Sequence, residues 1–336
     1  MNLKDLAKAL NLSSSTVSRA LNDSHEISVK TKQRVQALAK ELNFEPNPNA
    51  SSLRKQKNKT IAVVVPDITN HFFSKVIEGI ETIAQDKGYH ILIYFTFESY
   101  AKEVAILKHL SNGRVDGIIL SLSAETNTYE HIKELKERKV PLVFFDRICE
   151  DVEAARVTTD NQMAAKNGTK HLLDAGCKKI VFLNFSTSSV TSIQRRQGYI
   201  DALNQNKMEV DYSLILDCTT NKDENYQIIS NFLMKRSDVD AVFASSENLG
   251  TTTYQVCESL GLSIPNKIKV LGFSNMALAP LLNPSFSCIT QPAFDIGKEA
   301  AQVLFKSIEK PNIDYSDTKI ILKSTLVERK STKQFV

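Results

Sequence analysis

Ser13-Ser14-Ser15-Thr16-Val17-Ser18-Arg19 combines a helix-capping residue, a row of short hydroxyls and one guanidinium. Ser13 follows Asn11-Leu12, and its hydroxyl can accept one of the backbone N–H groups left without a partner at a helix start. Val17 and Leu21 lie four apart, so one side of such a helix can pack inward while the other stays free. The free side carries Ser14, Ser15, Ser18 and Arg19, which are groups that hydrogen-bond base edges or phosphates. A serine-rich segment alone is an ordinary turn, so its neighbours decide its meaning.

Those neighbours read as helices. Asn2 can cap a first helix with Asp5 in its first turn, and Leu3, Leu6, Ala7 and Leu10 have helical spacing. Asn11 interrupts, Leu12 packs the turn, and Asn22-Asp23-Ser24 ends the second helix. Ser28 caps a third, with Val35, Leu38, Ala39 and Leu42 as its apolar stripe. Three short helices with a tight turn between the first two make an all-α helix-turn-helix domain over residues 1–45. Residues 1–59 carry eleven Lys and Arg against five Asp and Glu, a net of +6. The remaining 31 against 33 leave −2, within a total charge of +4. A small basic head on a near-neutral body implies a polyanionic partner for the head. Residues 46–59, with Pro46, Pro48 and a run of Lys and Arg, have the composition of a linker.

From residue 60 onward, strand-like runs alternate with helical stretches. Ile61-Ala62-Val63-Val64-Val65 is a continuous buried-strand run. A helix is expected around 73–87, a strand at 89–95, a helix at 102–110, a strand at 117–122, a helix at 128–138 and a strand at 142–145. After Asp160 the rhythm restarts. It gives helices at 161–175, 195–204, 224–235 and 250–260 and strands at 179–185, 214–216, 241–244 and 269–273. This predicts an α/β body of two doubly wound parallel sheets in series. At 336 residues and 42% hydrophobic, the chain suits two or three domains with sizeable cores.

Other function classes find little support. No apolar run approaches the roughly 20 residues that span a bilayer, and the N-terminus lacks a secretory apolar region, so a cytoplasmic, nucleoid-associated protein is expected. Five widely spaced cysteines without a Cys-x-x-Cys pair argue against zinc and against a disulfide framework. The six histidines form no metal-ligand spacing, and neither a nucleophile elbow nor a Walker loop occurs. No catalytic residue, metal or cofactor is expected. The rival readings are a cytosolic sugar-binding or enzymatic α/β protein with a basic head of no regulatory role, and a transport binding protein with the same two lobes.

Leu3-Lys4-Asp5-Leu6-Ala7, Thr16-Val17-Ser18-Arg19-Ala20-Leu21-Asn22 and Pro46-Asn47 together resemble the N-terminal domain of the LacI/GalR (lactose-repressor) family of bacterial regulators. The body adds Phe72-Phe73, Val115-Asp116-Gly117, Asp146-Arg147, Arg195-x-x-Gly198-Tyr199, Gly272-Phe273, Gln291-Pro292 and Arg329-x-Ser331, which resemble the same family's periplasmic-binding-protein-like domain. The resemblance implies a homodimer that binds a pseudo-palindromic operator and is controlled allosterically by a small molecule, a sugar or sugar acid. It implies DNA contacts from Ser13, Ser14, Ser15, Thr16, Ser18, Arg19 and Asn22. It also implies a hinge helix that contacts the minor groove through Asn49, Ala50, Leu53 and Arg54, with Leu53 as a wedge between bases. One lobe would hold about 60–159 and 291–323, the other about 160–290 and 324–336. Effector contacts are implied for Phe72, Phe73, Ser123, Asp146, Arg147, Thr191, Arg195, Ser246, Ser274 and Gln291. Two departures stand out: Ser274 where the family often has Asp, and Ser246-Glu247 where it often has Asn-Asp. Loss of the Asp makes a negatively charged ligand an expectation, with Arg147 and Arg195 as counterions.

Overall fold

The computed structural model describes residues 3–21, 23–42, 44 and 58–333. The chain divides into two compact units, Met1–Asn58 and Lys59–Val336.

The first unit contains α1 (Leu3–Leu10), α2 (Ser14–Leu21) and α3 (Val29–Glu41). Asn11 ends α1 in the left-handed region at φ 51°, a conformation asparagine tolerates better than most residues. The N–H of Leu12 then donates to Ala7 O at 3.0 Å, closing the tight turn. Ser13 caps α2, its Oγ accepting from Thr16 N at 3.1 Å. Ser28 caps α3 in the same way, accepting from Thr31 N at 3.3 Å. Leu6, Leu10, Val17, Ala20, Val35 and Ala39 are buried together. The inward stripe of α2 is thus centred on Val17 and Ala20, three apart, and Leu21 packs only at its margin. Leu42, expected in the stripe of α3, lies past its end and is 37% exposed. The candidate residues Asn2, Asn22, Asn49, Ala50, Leu53 and Arg54 lie outside the described residues.

The second unit holds two six-stranded sheets. The first contains β1 (Thr60–Val65), β2 (His90–Phe95), β3 (Ile118–Leu120), β4 (Leu142–Phe145), β5 (Ala155–Thr159) and β11 (Lys319–Leu322), in the order β11-β5-β4-β3-β1-β2. The second contains β6 (Ile180–Asn184), β7 (Ile215–Asp217), β8 (Ala241–Ala244), β9 (Lys269–Phe273), β10 (Ser287–Thr290) and β12 (Thr325–Val327), in the order β12-β10-β9-β8-β6-β7. All pairings are parallel except β10 with β12. The expectation of purely parallel sheets therefore fails at one edge, where the chain returns from the first lobe after only two residues and enters the second in the opposite direction.

The central strands of each sheet are buried on both faces, which explains their uninterrupted apolar runs. In β1, Ile61, Val63 and Val65 point toward α4 (His71–Asp86) and α11 (Ala293–Glu309). Ala62 and Val64 point the other way, with residues of α5 (Tyr100–Leu110) and α6 (Glu130–Glu137). The second sheet repeats the plan with α7 (Asn161–Asp174) and α8 (Val190–Gln205) on one face, and α9 (Lys222–Lys235) and α10 (Glu247–Ser259) on the other. Glycines let paired helices touch backbone to backbone. A Cβ on Gly297 would collide with Val76 O, and one on Gly79 with Phe294 O, at the α4–α11 crossing. Gly198 makes the equivalent approach to Gln162 O between α8 and α7.

Helices α8 and α10 start at Val190 and Glu247, earlier than the apolar spacing suggests. Those first turns face the space between the lobes. The three chain crossings are stitched together: Asp160 N donates to Leu322 O at 3.1 Å, Ser324 N to Asp160 Oδ1 at 2.7 Å, and Gln291 Nε2 to Thr159 Oγ1 at 3.0 Å.

Candidate functional site

In the first unit, α2 presents Ser13, Ser15 and Arg19 to solvent, with Ser14, Thr16 and Ser18 half-buried. The hydroxyls of Ser13, Ser15 and Thr16 form one cluster, with Ser13 Oγ 2.8 Å from each of the other two. Ser13 is thus occupied as cap and cluster centre. Ser15 lies outermost. Arg19 reaches back to Glu26 at 2.8 Å, an exposed pair of the kind worth about 0–1 kcal/mol. A pairing this weak can be exchanged for a bidentate contact to a base edge.

In the second unit, a cleft lies between the lobes, at the carboxyl ends of the parallel strands of both sheets. Doubly wound sheets place ligands there, because the loops after the strands and the helix N-termini converge. Nine of the ten candidate effector residues line it: Phe72 and Phe73 after β1, Asp146 and Arg147 after β4, Thr191 and Arg195 on α8, Ser246 after β8, Ser274 after β9, and Gln291 after β10.

Ser123 does not line the cleft. It is buried behind the wall, where its N–H donates to Glu103 Oε2 at 2.7 Å and its hydroxyl to Thr96 Oγ1 at 2.7 Å. Glu103, fully buried, also receives Thr126 Oγ1 and pairs with His131 Nε2, each at 2.9 Å. This network fixes the loop after β3 rather than facing a ligand. The two phenylalanines are also more buried than a ligand-stacking role requires. Phe73 is 2% exposed and packs edge-on against Phe72 and Phe145.

The polar walls are held from behind. Glu98 lies in the loop after β2, at φ 62° directly after Phe97 at φ 52°. It accepts from Arg147 Nη1 at 2.6 Å and from Ala124 N at 2.8 Å. Burial alone would lower the Arg147 pKa, but the charge and hydrogen bond of Glu98 outweigh it and hold the guanidinium above its usual range. On the facing wall, Arg195 donates Nε to Asn161 Oδ1 at 2.8 Å, Nη1 to Ser245 O at 2.7 Å and Nη2 to Gln291 Oε1 at 3.1 Å. Its guanidinium carbon sits 3.8 Å from the Phe273 ring centre. Burial pushes Arg195 down to about 10, against the attraction of Asp146, so it remains a cation at neutral pH.

Two buried oxygens in the cleft residues have no hydrogen-bond partner among the described residues: Asp146 Oδ1 in one lobe and Ser246 Oγ in the other. An unsatisfied buried acceptor costs about 1–3 kcal/mol. A carboxylate oxygen and a hydroxyl left open in the walls of one cleft suit a ligand rich in hydroxyl groups. Asp146 is also in the left-handed region at φ 54°, a conformation that is uncommon outside glycine and that recurs at ligand sites.

Glu247 lines the cleft without being among the expected effector contacts, as do Asn70, Phe185, Ser192, Ser245 and Asn275. Glu247 starts α10, is 4% exposed, and its carboxylate receives Ser274 Oγ at 2.7 Å and Asn275 N at 3.1 Å. The carboxylate that Ser274 does not supply therefore stands one side chain away. Glu98, Asn161 and Asn275 were also missed, since each acts through a partner distant in sequence. Among the described residues no group of three or more His, Cys, Asp or Glu could hold a metal ion, and no helix is long and apolar enough to cross a membrane.

Comparison with known proteins covers both units. A model of "Bacterial regulatory proteins, lacI family" matches residues 2–47. A model of "Periplasmic binding proteins and sugar binding domain of LacI family" matches residues 58–328. The chain is 30% identical to a ribose operon repressor of Haemophilus influenzae over 329 residues, covering 98% of each protein. It is 28% identical to catabolite control protein A of Priestia megaterium over 317 residues, 94% of this chain and 95% of that protein. Among solved structures, the lac repressor dimer bound to operator and the anti-inducer ONPF matches 99% of each chain with a TM-score of 0.84 at 20% identity, a likeness of fold. A LacI family regulator from Enterococcus faecium with bound ribose matches 81% of this chain and 98% of its own, with a TM-score of 0.72 at 27% identity.

Proposed function

The chain belongs to the LacI family of bacterial regulatory proteins, and from that premise we propose that its cleft takes a neutral sugar whose binding controls how a homodimer holds operator DNA. As a member of the family it is a DNA-binding transcription regulator and not an enzyme. The observation that carries the ligand reading is the pair of open oxygens, Asp146 Oδ1 and Ser246 Oγ, which a sugar's hydroxyls can satisfy together. Arg195 retains N–H groups beyond the three it donates to the protein, and these can donate to further hydroxyls.

Charge favours a neutral ligand over the sugar acid that the missing Asp at 274 suggests. Arg147 is already neutralised by Glu98 at 2.6 Å. Asp146 and Glu247 both stand in the walls, so an anion would meet two carboxylates with one uncommitted cation, Arg195. A ribose operon repressor among the relatives and ribose in a structural neighbour point in the same direction.

On DNA, Ser14, Ser15 and Arg19 of each subunit would read one half-site in the major groove, with Ser13, Thr16, Ser18 and Asn22 near the backbone. Residues 46–59 would carry the hinge, with Leu53 as the minor-groove wedge beside Asn49, Ala50 and Arg54. Ligand would shift the lobes about their three crossings, change the spacing of the two hinges, and so bias the bound form.

Isothermal calorimetry with D-ribose, D-glucose, D-glucuronate and D-ribose 5-phosphate tests the ligand class. The expected result is binding of a neutral sugar at least tenfold tighter than its acidic counterpart. Tighter binding of the acid or phosphate overturns the neutral reading.

A further inference from the structure

The two lobes are joined across the cleft by a pair that makes no demand on a ligand. His71 opens α4 in the first lobe and Glu247 opens α10 in the second. His71 Nδ1 lies 2.6 Å from Glu247 Oε1. The carboxylate is 5% exposed and the imidazole 42%, so the contact sits at the rim of the cleft with its acceptor inside. Oε2 of the same carboxylate is taken by Ser274 Oγ and Asn275 N. Glu247 is therefore fixed in its own lobe by two donors and offers its remaining oxygen to the other lobe. With the His71 backbone N–H at 3.5 Å from Oε1 as a fourth donor, little of the carboxylate's accepting capacity is left for a ligand hydroxyl.

Among the described residues other contacts also cross between the lobes, including the His71 backbone N–H to Glu247 Oε1 at 3.5 Å and Val190 of α8 packed on the apolar core of the first lobe. Ser188 Oγ donates to Ala124 O at 3.0 Å, and the Arg147 guanidinium lies 5.2 Å from the Phe185 ring centre. The side-chain contact of His71 with Glu247 differs from these in being at once short, charge-assisted and anchored by a buried group. Hydrogen bonds to a charged acceptor are about twice as strong as neutral ones.

We propose that His71 and Glu247 form a clasp that holds the two lobes closed without ligand, so that an effector binds a cleft already largely assembled. The clasp stands on the interlobe geometry alone; its consequence for affinity rests on the reading of the cleft as a sugar site. When a ligand binds only the closed form, its apparent affinity scales with the fraction of molecules closed. Loss of the clasp therefore weakens binding without removing any ligand contact. His71 and Glu247 act as positioning residues. Ser274 contributes by holding the carboxylate in place.

The test is a pulsed dipolar distance measurement on the full-length protein without ligand. Spin labels are placed at Glu81→Cys and Gln255→Cys, exposed positions on the two helices that begin at the clasp, and the five native cysteines are buried. The labelled chain is exchanged into a large excess of unlabelled protein so that a dimer carries one labelled subunit, and the labelled parent is then expected to give one narrow distribution. His71→Ala is expected to broaden and lengthen it, and His71→Gln, which restores an N–H donor, to return it toward the parent. Glu247→Gln, close to glutamate in size, is expected to lengthen it as well and serves if His71→Ala does not fold. Equal distributions in the parent and the folded variant overturn the clasp. Calorimetry with D-ribose then separates the two readings. About tenfold weaker binding by His71→Ala with unchanged stoichiometry supports the link to affinity. If no neutral sugar binds the parent while the distances shift as expected, the ligand reading falls and the clasp stands.

Discussion

Glu98 Oε2 lies 2.6 Å from Arg147 Nη1, although 48 residues separate them in the chain and only Arg147 faces the cleft. The pair is largely buried, with side-chain exposures of 14% and 11%. Removing one member of such a pair leaves an uncompensated buried charge, which typically costs about 3–5 kcal/mol. Glu98→Ala should therefore lower stability by roughly that amount in urea unfolding. It should also loosen the Ala124 loop, because Ala124 N donates to the same oxygen. A variant within about 0.5 kcal/mol of the parent would show that solvent replaces Glu98 in full.

Gly297 and Gly79 set the distance between α11 and α4. A methyl group at either position meets a backbone carbonyl, and backbone cannot step aside as a side-chain tip can. Gly297→Ala should destabilise by about 1–3 kcal/mol. The measurement is the urea midpoint. Gly113→Ala serves as a comparison of a different kind: nothing lies within 4 Å of its Cβ, and any cost there comes from its φ of 71°.

Stability should decline on the alkaline side. Burial raises all five thiols from an ordinary value of 9.0, Cys177 and Cys288 to about 11, Cys218 and Cys257 to about 12, and Cys149 in the same direction. Above pH 9 the unfolded chain releases these protons while the folded one keeps them, so folding stability falls with rising pH across that window. Arg195, lowered to about 10, acts in the opposite sense above pH 10, but it is one group against five thiols. Urea midpoints at pH 7.5, 9 and 10 should decrease in that order. The same burial should leave native cysteines unreactive toward a thiol reagent at pH 8 until the protein unfolds.

On DNA, Arg19→Ala and Leu53→Ala should separate. Loss of a bidentate guanine contact relaxes one base position by about 1–3 kcal/mol. Selection from a random duplex library should then show a flattened preference at one symmetric pair of positions. Leu53→Ala should instead weaken binding to the parent's selected site while leaving D-ribose affinity unchanged. Unaltered operator binding by Leu53→Ala would remove the wedge.

Much of the head was legible from local rules. Ser13 and Ser28 cap the helices expected of them, because a cap is set by a residue and its own third successor. The strands β4, β8 and β9 fall at their expected bounds, since four or five consecutive apolar residues between polar breaks leave little choice. Less legible were α8 and α10. Their first turns put Thr191, Ser192 and Glu247 into the cleft, and in α8 Val190 packs on the other lobe while Ile193 is exposed, so that turn adds nothing to the periodicity of its own lobe's core.

By itself the sequence determined the α/β rhythm, the basic capped head and most of the residues that line the cleft. The rhythm and the capped head follow from hydrophobic period and capping, which are properties of neighbouring residues, and the cleft residues follow from the family resemblance. Tertiary structure alone decided which polar groups remain open. Ser123 turned away to Glu103, Ser274 surrendered its hydroxyl to Glu247, and Asp146 and Ser246 kept an oxygen each. Hydrogen-bond satisfaction is a property of groups brought together from distant strands. It could be assigned only once both sheets and their crossings had set the distances.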